Sequence, residues 1–208
     1  AVAVGIDRRV GTERRRSAFV LGNDGTILTC HDQLAVTSPF QPGTDLATMW
    51  FRFNGVPAVV TIGREALWTE LAELAAVAGA QVHVHLECDA DASPAAVLRR
   101  RQVWANLASF HTFTAAANVI DCTIWDDLAG ALESRAVVRN SAAPTGGPTE
   151  IYSPFSANLV SSTSGAMSLI VATRRVSSHN PQFVRRTLGF NPQMAPWFRL
   201  GASLIRPR

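Results

Sequence analysis

The segment from Ala58 to Glu87 constrains this chain more than any other. An apolar run, Ala58–Ile62, stops at Gly63. Leu67, Leu71, Leu74, Ala75 and Ala78 then recur at helical spacing, with Glu70 and Glu73 on the other face, so a helix is predicted over Ala66–Ala78. Gly79 ends it, because glycine takes the left-handed conformation at a helix C-terminus without a Cβ clash. Gln81–Glu87 follows as a second strand. Two short apolar strands joined by one helix imply parallel pairing through a right-handed crossover, with Val59–Ile62 beside Val82–Leu86.

Strands and hairpins flank this unit. Val2–Ile6, Ser17–Leu21 and Thr26–Cys30 read as strands, the last two joined at Asn23-Asp24-Gly25, whose residues tolerate positive φ. Met49–Phe53 meets Ala58 across an Asn54-Gly55 turn. Ser93 caps a second helix with Pro94 in its first turn, and that helix runs to about Ser109. Phe113–Ala117 returns as a strand, Asp126–Glu133 as a short helix, and Ala142–Pro148 as a loop. Ile151–Tyr152, Leu159–Ser161 and Leu169–Ala172 are late strands. The expectation is one layered α/β domain over residues 1–208, with 180–208, rich in Pro, Phe and Trp, as a C-terminal docking tail. The chain opens on Ala-Val-Ala-Val-Gly, an interior-type strand without an initiator Met, so an upstream part is expected to be missing.

Composition excludes several classes. The 208 residues, 47% of them hydrophobic, suffice for one well-buried core. A net charge of +3 argues against nucleic acid as a partner, although arginines cluster at Arg14–Arg16, Arg99–Arg101 and Arg174-Arg175. Such clusters read as solvated faces or interface pairs. All 19 basic side chains of the Lys+Arg count are arginine. No lysine is therefore present to act as general acid or Schiff base. Three widely spaced cysteines, Cys30, Cys88 and Cys122, fit reduced thiols, and a cytoplasmic location is the expectation. No apolar run is long enough to cross a bilayer, and no membrane partner is expected.

Several motifs occur in a fixed order. Ala18-Phe19-Val20, Asn23-Asp24-Gly25 and Ile27-Leu28 form a hairpin; Phe40-Gln41-Pro42-Gly43 is an F-x-P-G turn. Val59–Leu71 runs from apolar strand through turn, acid and aromatic into a helix opening at Glu70. Gly79-Ala80 precedes a strand, Ala115-Ala116-Ala117-Asn118 ends another, and Gly146-Gly147 leads to Pro154. In order and spacing the chain resembles the carbon–nitrogen hydrolases, the nitrilase superfamily. The resemblance implies an α-β-β-α layered sandwich, dimerised through the helices near the nucleophile. It also implies chemistry by a Glu base, a Lys that supports the oxyanion and a Cys that attacks a nitrile or amide carbon.

The departures fall on the reactive groups. Counting back from Glu70, the nucleophile position is Gly63, which has no side chain. The lysine position falls on Gln33, within His31-Asp32-Gln33-Leu34. The family's base would lie upstream of Ala1. Asn106–Phe110 reads N-L-A-S-F where the family has R-A-x-E-N. The resemblance with these departures points to a non-catalytic pseudoenzyme that keeps a small-molecule cleft and needs no cofactor. Two alternatives stand beside it: an active hydrolase of C–N bonds using a metal or upstream residues, and a structural partner subunit.

Arg64, Glu65, Trp68, Glu87 and Cys88 are the candidate cleft residues. Arg64 can hold an anion by a bidentate pair, and Glu65 occupies the family's acid position, which organises the turn. Cys88 reads either as a thiol near the pocket or as a buried inert one. His83, His85 and Glu87 share one strand face at a spacing of two. They read either as an open three-ligand metal site or as hydrogen-bonded histidines at a layer interface. The resemblance implies a homodimer to which the helix Ala66–Ala78 and the helix beginning at Ser93 contribute, with Trp68 and Trp104 each either an aromatic anchor or a core residue.

Overall fold

The computed structural model describes residues 1–87, 93–110, 112–118, 148–154 and 158–161. Nine strands and two α-helices appear among them: β1 (Val2–Val10), β2 (Glu13–Leu21), β3 (Ile27–Asp32), β4 (Trp50–Phe53), β5 (Val56–Ile62), α1 (Thr69–Ala78), β6 (Val82–Glu87), α2 (Pro94–Ser109), β7 (Phe113–Asn118), β8 (Glu150–Tyr152) and β9 (Asn158–Ser161). One sheet has the order β1-β2-β3; the other runs β4-β5-β6-β7-β8-β9. The readings at Asp126–Glu133, Leu169–Ala172, Cys88, Cys122 and the 180–208 tail, and all of the Ala142–Pro148 loop but Pro148, lie outside the described residues.

The crossover unit forms as its punctuation dictates. β5 and β6 pair in parallel, Ile62 opposite Leu86, and β6 pairs in parallel with β7. Gly79 caps α1 at φ 100°, and Asn54 and Gly55 turn the β4–β5 hairpin at φ 49° and 78°.

The sheets pack face to face. Ala18 and Val20 of β2 share one buried cluster with Phe51, Ala58, Val60 and Ile62 of the larger sheet. The opposite face of that sheet carries the helices: Val59 packs with Ala75 and Ala78 of α1, and Ala116 with Trp104 and Ala108 of α2. The alternation along β5 follows from the strand period of two, which sends Val60 to one layer and Val59 to the other. The described residues thus form three of the layers of an α-β-β-α sandwich.

Three elements differ from the sequence reading. β1 and β2 extend through Val10 and from Glu13, so the Arg14–Arg16 cluster lies within a strand. Two of its three charges are paired with neighbouring strands: Arg16 meets Asp7 of β1 at 3.1 Å, and Arg15, with Arg8, converges on Asp32 of β3 at 3.0 and 2.8 Å. The start of the predicted helix is a 3-10 turn, Gly63–Leu67, and Trp68 stands between it and α1 with φ −91° and ψ 85°. Trp104 is fully buried against β7 and β8, which removes it from the possible surface anchors.

Candidate functional site: a cleft at the strand ends

Three chain segments meet where β3, β5 and β6 end. Because Ile62 pairs with Leu86, Gly63 and Glu87 leave the sheet side by side. Gln33, one residue past β3, reaches the same place. Open α/β sheets bind ligands at such carboxyl ends. A Cβ on Gly63 would stand 3.1 Å from Gln33 Nε2 and 3.8 Å from Glu87 Oε1. Gly63 itself has φ +51°, in the left-handed region.

Glu65 builds the turn. Its carboxylate accepts from Ile62 N–H at 2.7 Å and from Leu34 N–H at 2.6 Å. It also meets His31 Nε2 at 3.1 Å. His31 Nδ1 lies 3.0 Å from the Thr48 hydroxyl, whose own proton goes to the Asp45 carbonyl. Both ring nitrogens of this buried histidine thus meet acceptors. Such contacts draw the turn onto the loop after β3 and hold Gln33 opposite Gly63. Gln33 Nε2 donates to the Ile62 and Ala35 carbonyls, both at 3.0 Å. Its Oε1 is buried without a partner among the described residues.

Behind Glu87 runs a buried polar chain. Thr61 Oγ1 lies 2.7 Å from His83 Nε2 and 3.0 Å from His85 Nδ1. His85 Nε2 lies 3.3 Å from Glu87 Oε2. Burial, helped by the neighbouring His85, pushes the His83 pKa down to about 3, so His83 is neutral. Its Nδ1 is buried without a partner among the described residues, and a lone acceptor costs less than a lone N–H. The favoured chain is therefore directional: His83 Nε2–H donates to Thr61, Thr61 O–H to His85 Nδ1, and His85 Nε2–H to Glu87. Three of the four ring nitrogens, His83 Nε2 and both of His85, are thus committed to protein partners. Among the described residues no group of three or more His, Cys, Asp or Glu is placed to hold a metal ion.

The cleft above has a volume of about 710 Å³. Gln33, Gly63, Arg64 and Glu87 line it, with Arg99 and Arg100 from α2. Glu65 lies beneath it, fully buried, and Trp68 is 42% exposed outside its wall. Cys88 is outside the described residues. Sequence reasoning missed His31, Thr48 and Thr61. Thr61 had a signal, a lone hydroxyl in the apolar run Val59–Ile62; His31 and Thr48 had none without the tertiary contact. Of the Arg99–Arg101 cluster, only Arg101 points elsewhere, to the buried Glu150 carboxylate at 2.7 Å.

No protein-family model matches this chain, and no curated protein sequence matches it. Solved structures do. Nit3 of Saccharomyces cerevisiae, a member of branch 10 of the nitrilase superfamily, superposes with a TM-score of 0.63 at 12% identity, over 92% of this chain and 64% of that one. A carbon–nitrogen hydrolase from Helicobacter pylori G27 gives 0.61 at 14% identity, over 90% and 66%. An amidase from Nesterenkonia gives 0.58 at 14%, over 78% and 56%. A further structure of that amidase carries acrylamide added to its active-site cysteine, and another holds butyramide. At these identities the likeness defines a fold: the chain has the α/β architecture of the nitrilase superfamily. It spans less than two thirds of the length of these structures. No helix among the described residues is long and apolar enough to cross a membrane.

Proposed function

We propose that this chain is a nitrilase-fold protein that binds a small molecule in its cleft and does not hydrolyse C–N bonds by a cysteine mechanism. The observation that carries the reading is the meeting of Gly63, Gln33 and Glu87. The point nearest the strand ends offers no side chain, and the group facing it is a neutral amide already bonded to two carbonyls. Covalent catalysis needs a nucleophile and a stabilised oxyanion. Gln33 Nε2 spends its two protons on Ile62 and Ala35, so it has none for an oxyanion.

The test is turnover of an amide and nitrile panel, butyramide included, by the protein with and without a thiol-alkylating reagent. No turnover is expected. Gly63→Cys alone is expected to stay inactive, because the thiol would face Gln33 rather than a cation. Turnover abolished by alkylation overturns the reading.

We also propose a homodimer. Leu67, Trp68 and Leu98 are exposed by 62%, 42% and 57% on the helical side of the larger sheet, which supports an apolar contact there.

A further inference from the structure

The charges around the cleft are uneven. Among its described lining residues four are arginines, Arg16, Arg64, Arg99 and Arg100, and one is a carboxylate, Glu87. Two of these cations have other attachments. Arg16 pairs with Asp7 and stacks on the Phe40 ring at 4.4 Å. Arg100 is 6% exposed and packs into the wall. Arg64 and Arg99 are exposed, and neither makes an ion pair among the described residues.

Glu87 is held differently. His85 fixes one oxygen, and His85 is itself fixed by Thr61 and His83. The other oxygen is 3.8 Å from the place where a side chain at Gly63 would begin. Three buried polar groups in a sheet core are costly unless every bond counts. Their joint effect is to aim one carboxylate at the space that glycine leaves open.

We propose that the cleft binds a small zwitterion of the amino-acid class, its ammonium at Glu87 beside Gly63 and its carboxylate at Arg64 and Arg99. The inference rests on the binding reading above and names its ligand. A simple anion would meet Glu87 in the same cleft, and a simple cation would meet the two arginines. A molecule with both charges satisfies both walls, and guanidinium–carboxylate pairing supplies geometry as well as charge. Each charge-assisted contact is worth about tenfold or more in affinity.

The experiment is isothermal titration of the intact protein with amino acids of increasing charge separation, from glycine to 6-aminohexanoate. Butyrate, butylamine and butyramide serve as single-ended and neutral probes. At least one amino acid should bind about tenfold or more tightly than butyrate and butylamine. The double variant Arg64→Ala/Arg99→Ala should lose that advantage while keeping its butylamine affinity. Glu87→Gln should lose it while keeping its butyrate affinity. Circular dichroism melts establish that each variant is folded. An amino-acid series that binds no better than butyrate, or not at all at millimolar concentration, overturns the proposal. If butyramide alone binds, the zwitterion falls and the binding cleft stands. Alkylation-sensitive turnover of butyramide would instead remove the non-catalytic reading.

Discussion

At Glu65 a single buried carboxylate takes two backbone N–H groups and an imidazole, and it joins loops 31 residues apart in sequence. Removing it orphans donors at Ile62 and Leu34, and each unmet buried donor costs about 1–3 kcal/mol. Glu65→Ala should therefore destabilise the protein by roughly 3 kcal/mol or more in urea unfolding. A change under about 1 kcal/mol would mean that water replaces the carboxylate and that the turn is not built on it. His83 makes a prediction of opposite character. Its folded pKa, about 3, lies below the ordinary value of 6.5. The unfolded chain therefore binds the proton first as pH falls, and stability rises with pH across this window. The contribution is full above about pH 6.5 and is lost at about 1.4 kcal/mol per unit as pH falls toward the folded pKa. Urea unfolding at pH 7 and pH 5 should differ by about 2 kcal/mol from this group. His83→Gln should remove that part of the slope; an unchanged slope rejects burial of a neutral ring at this position.

Among the elements, those with local punctuation were legible. Gly63, Gly79 and the Asn54-Gly55 turn mark breaks that any packing must respect, and β5, the body and end of α1, and β6 lie where the pattern puts them. The parallel pairing of β5 with β6 followed from two apolar runs and one helix between them. What escaped was set by distant partners. The helix start became a 3-10 turn because Glu65 bends back to Ile62 and across to Leu34, and no local pattern encodes the second contact. The arginine-rich half of β2 hid a strand behind a polar sequence. Asp32, which accepts from Ser17, Arg8 and Arg15, makes that strand tenable. Burial raises the Asp32 carboxyl pKa, but those three hydrogen bonds outweigh it and hold the pKa below the usual range. For the site, the glycine that ends β5 was visible as the stop of an apolar run. The chain from His83 to Glu87 was only half visible, since the H-x-H-x-E spacing gives a shared face but not Thr61, which joins the two rings across the strand pair.

At the scale of the molecule the described layers leave two different surfaces. The outer face of the three-stranded sheet exposes Val2 and Val4 of β1 and Ile27 of β3, by 60%, 38% and 61%. The helical side exposes Leu67, Trp68 and Leu98, and of these Leu67 lines the cleft. An aromatic flanked by aliphatics is the composition of an interface centre, where large rings give much contact at little entropic cost. The dimer is therefore expected to close over the helical side, so that assembly and ligand entry share residues. Light scattering should give twice the chain mass at micromolar concentration. Trp68→Glu places a charge in that contact without touching the buried core, and it should yield a folded monomer with an unshifted circular dichroism spectrum. Because Leu67 lines the cleft and lies in the proposed contact, Leu67→Glu should weaken the dimer and alter ligand affinity together. A monomer at high micromolar concentration in the unaltered protein would sink the dimer. A dimer that survives both charges would move the contact to the uncovered valine face of the smaller sheet.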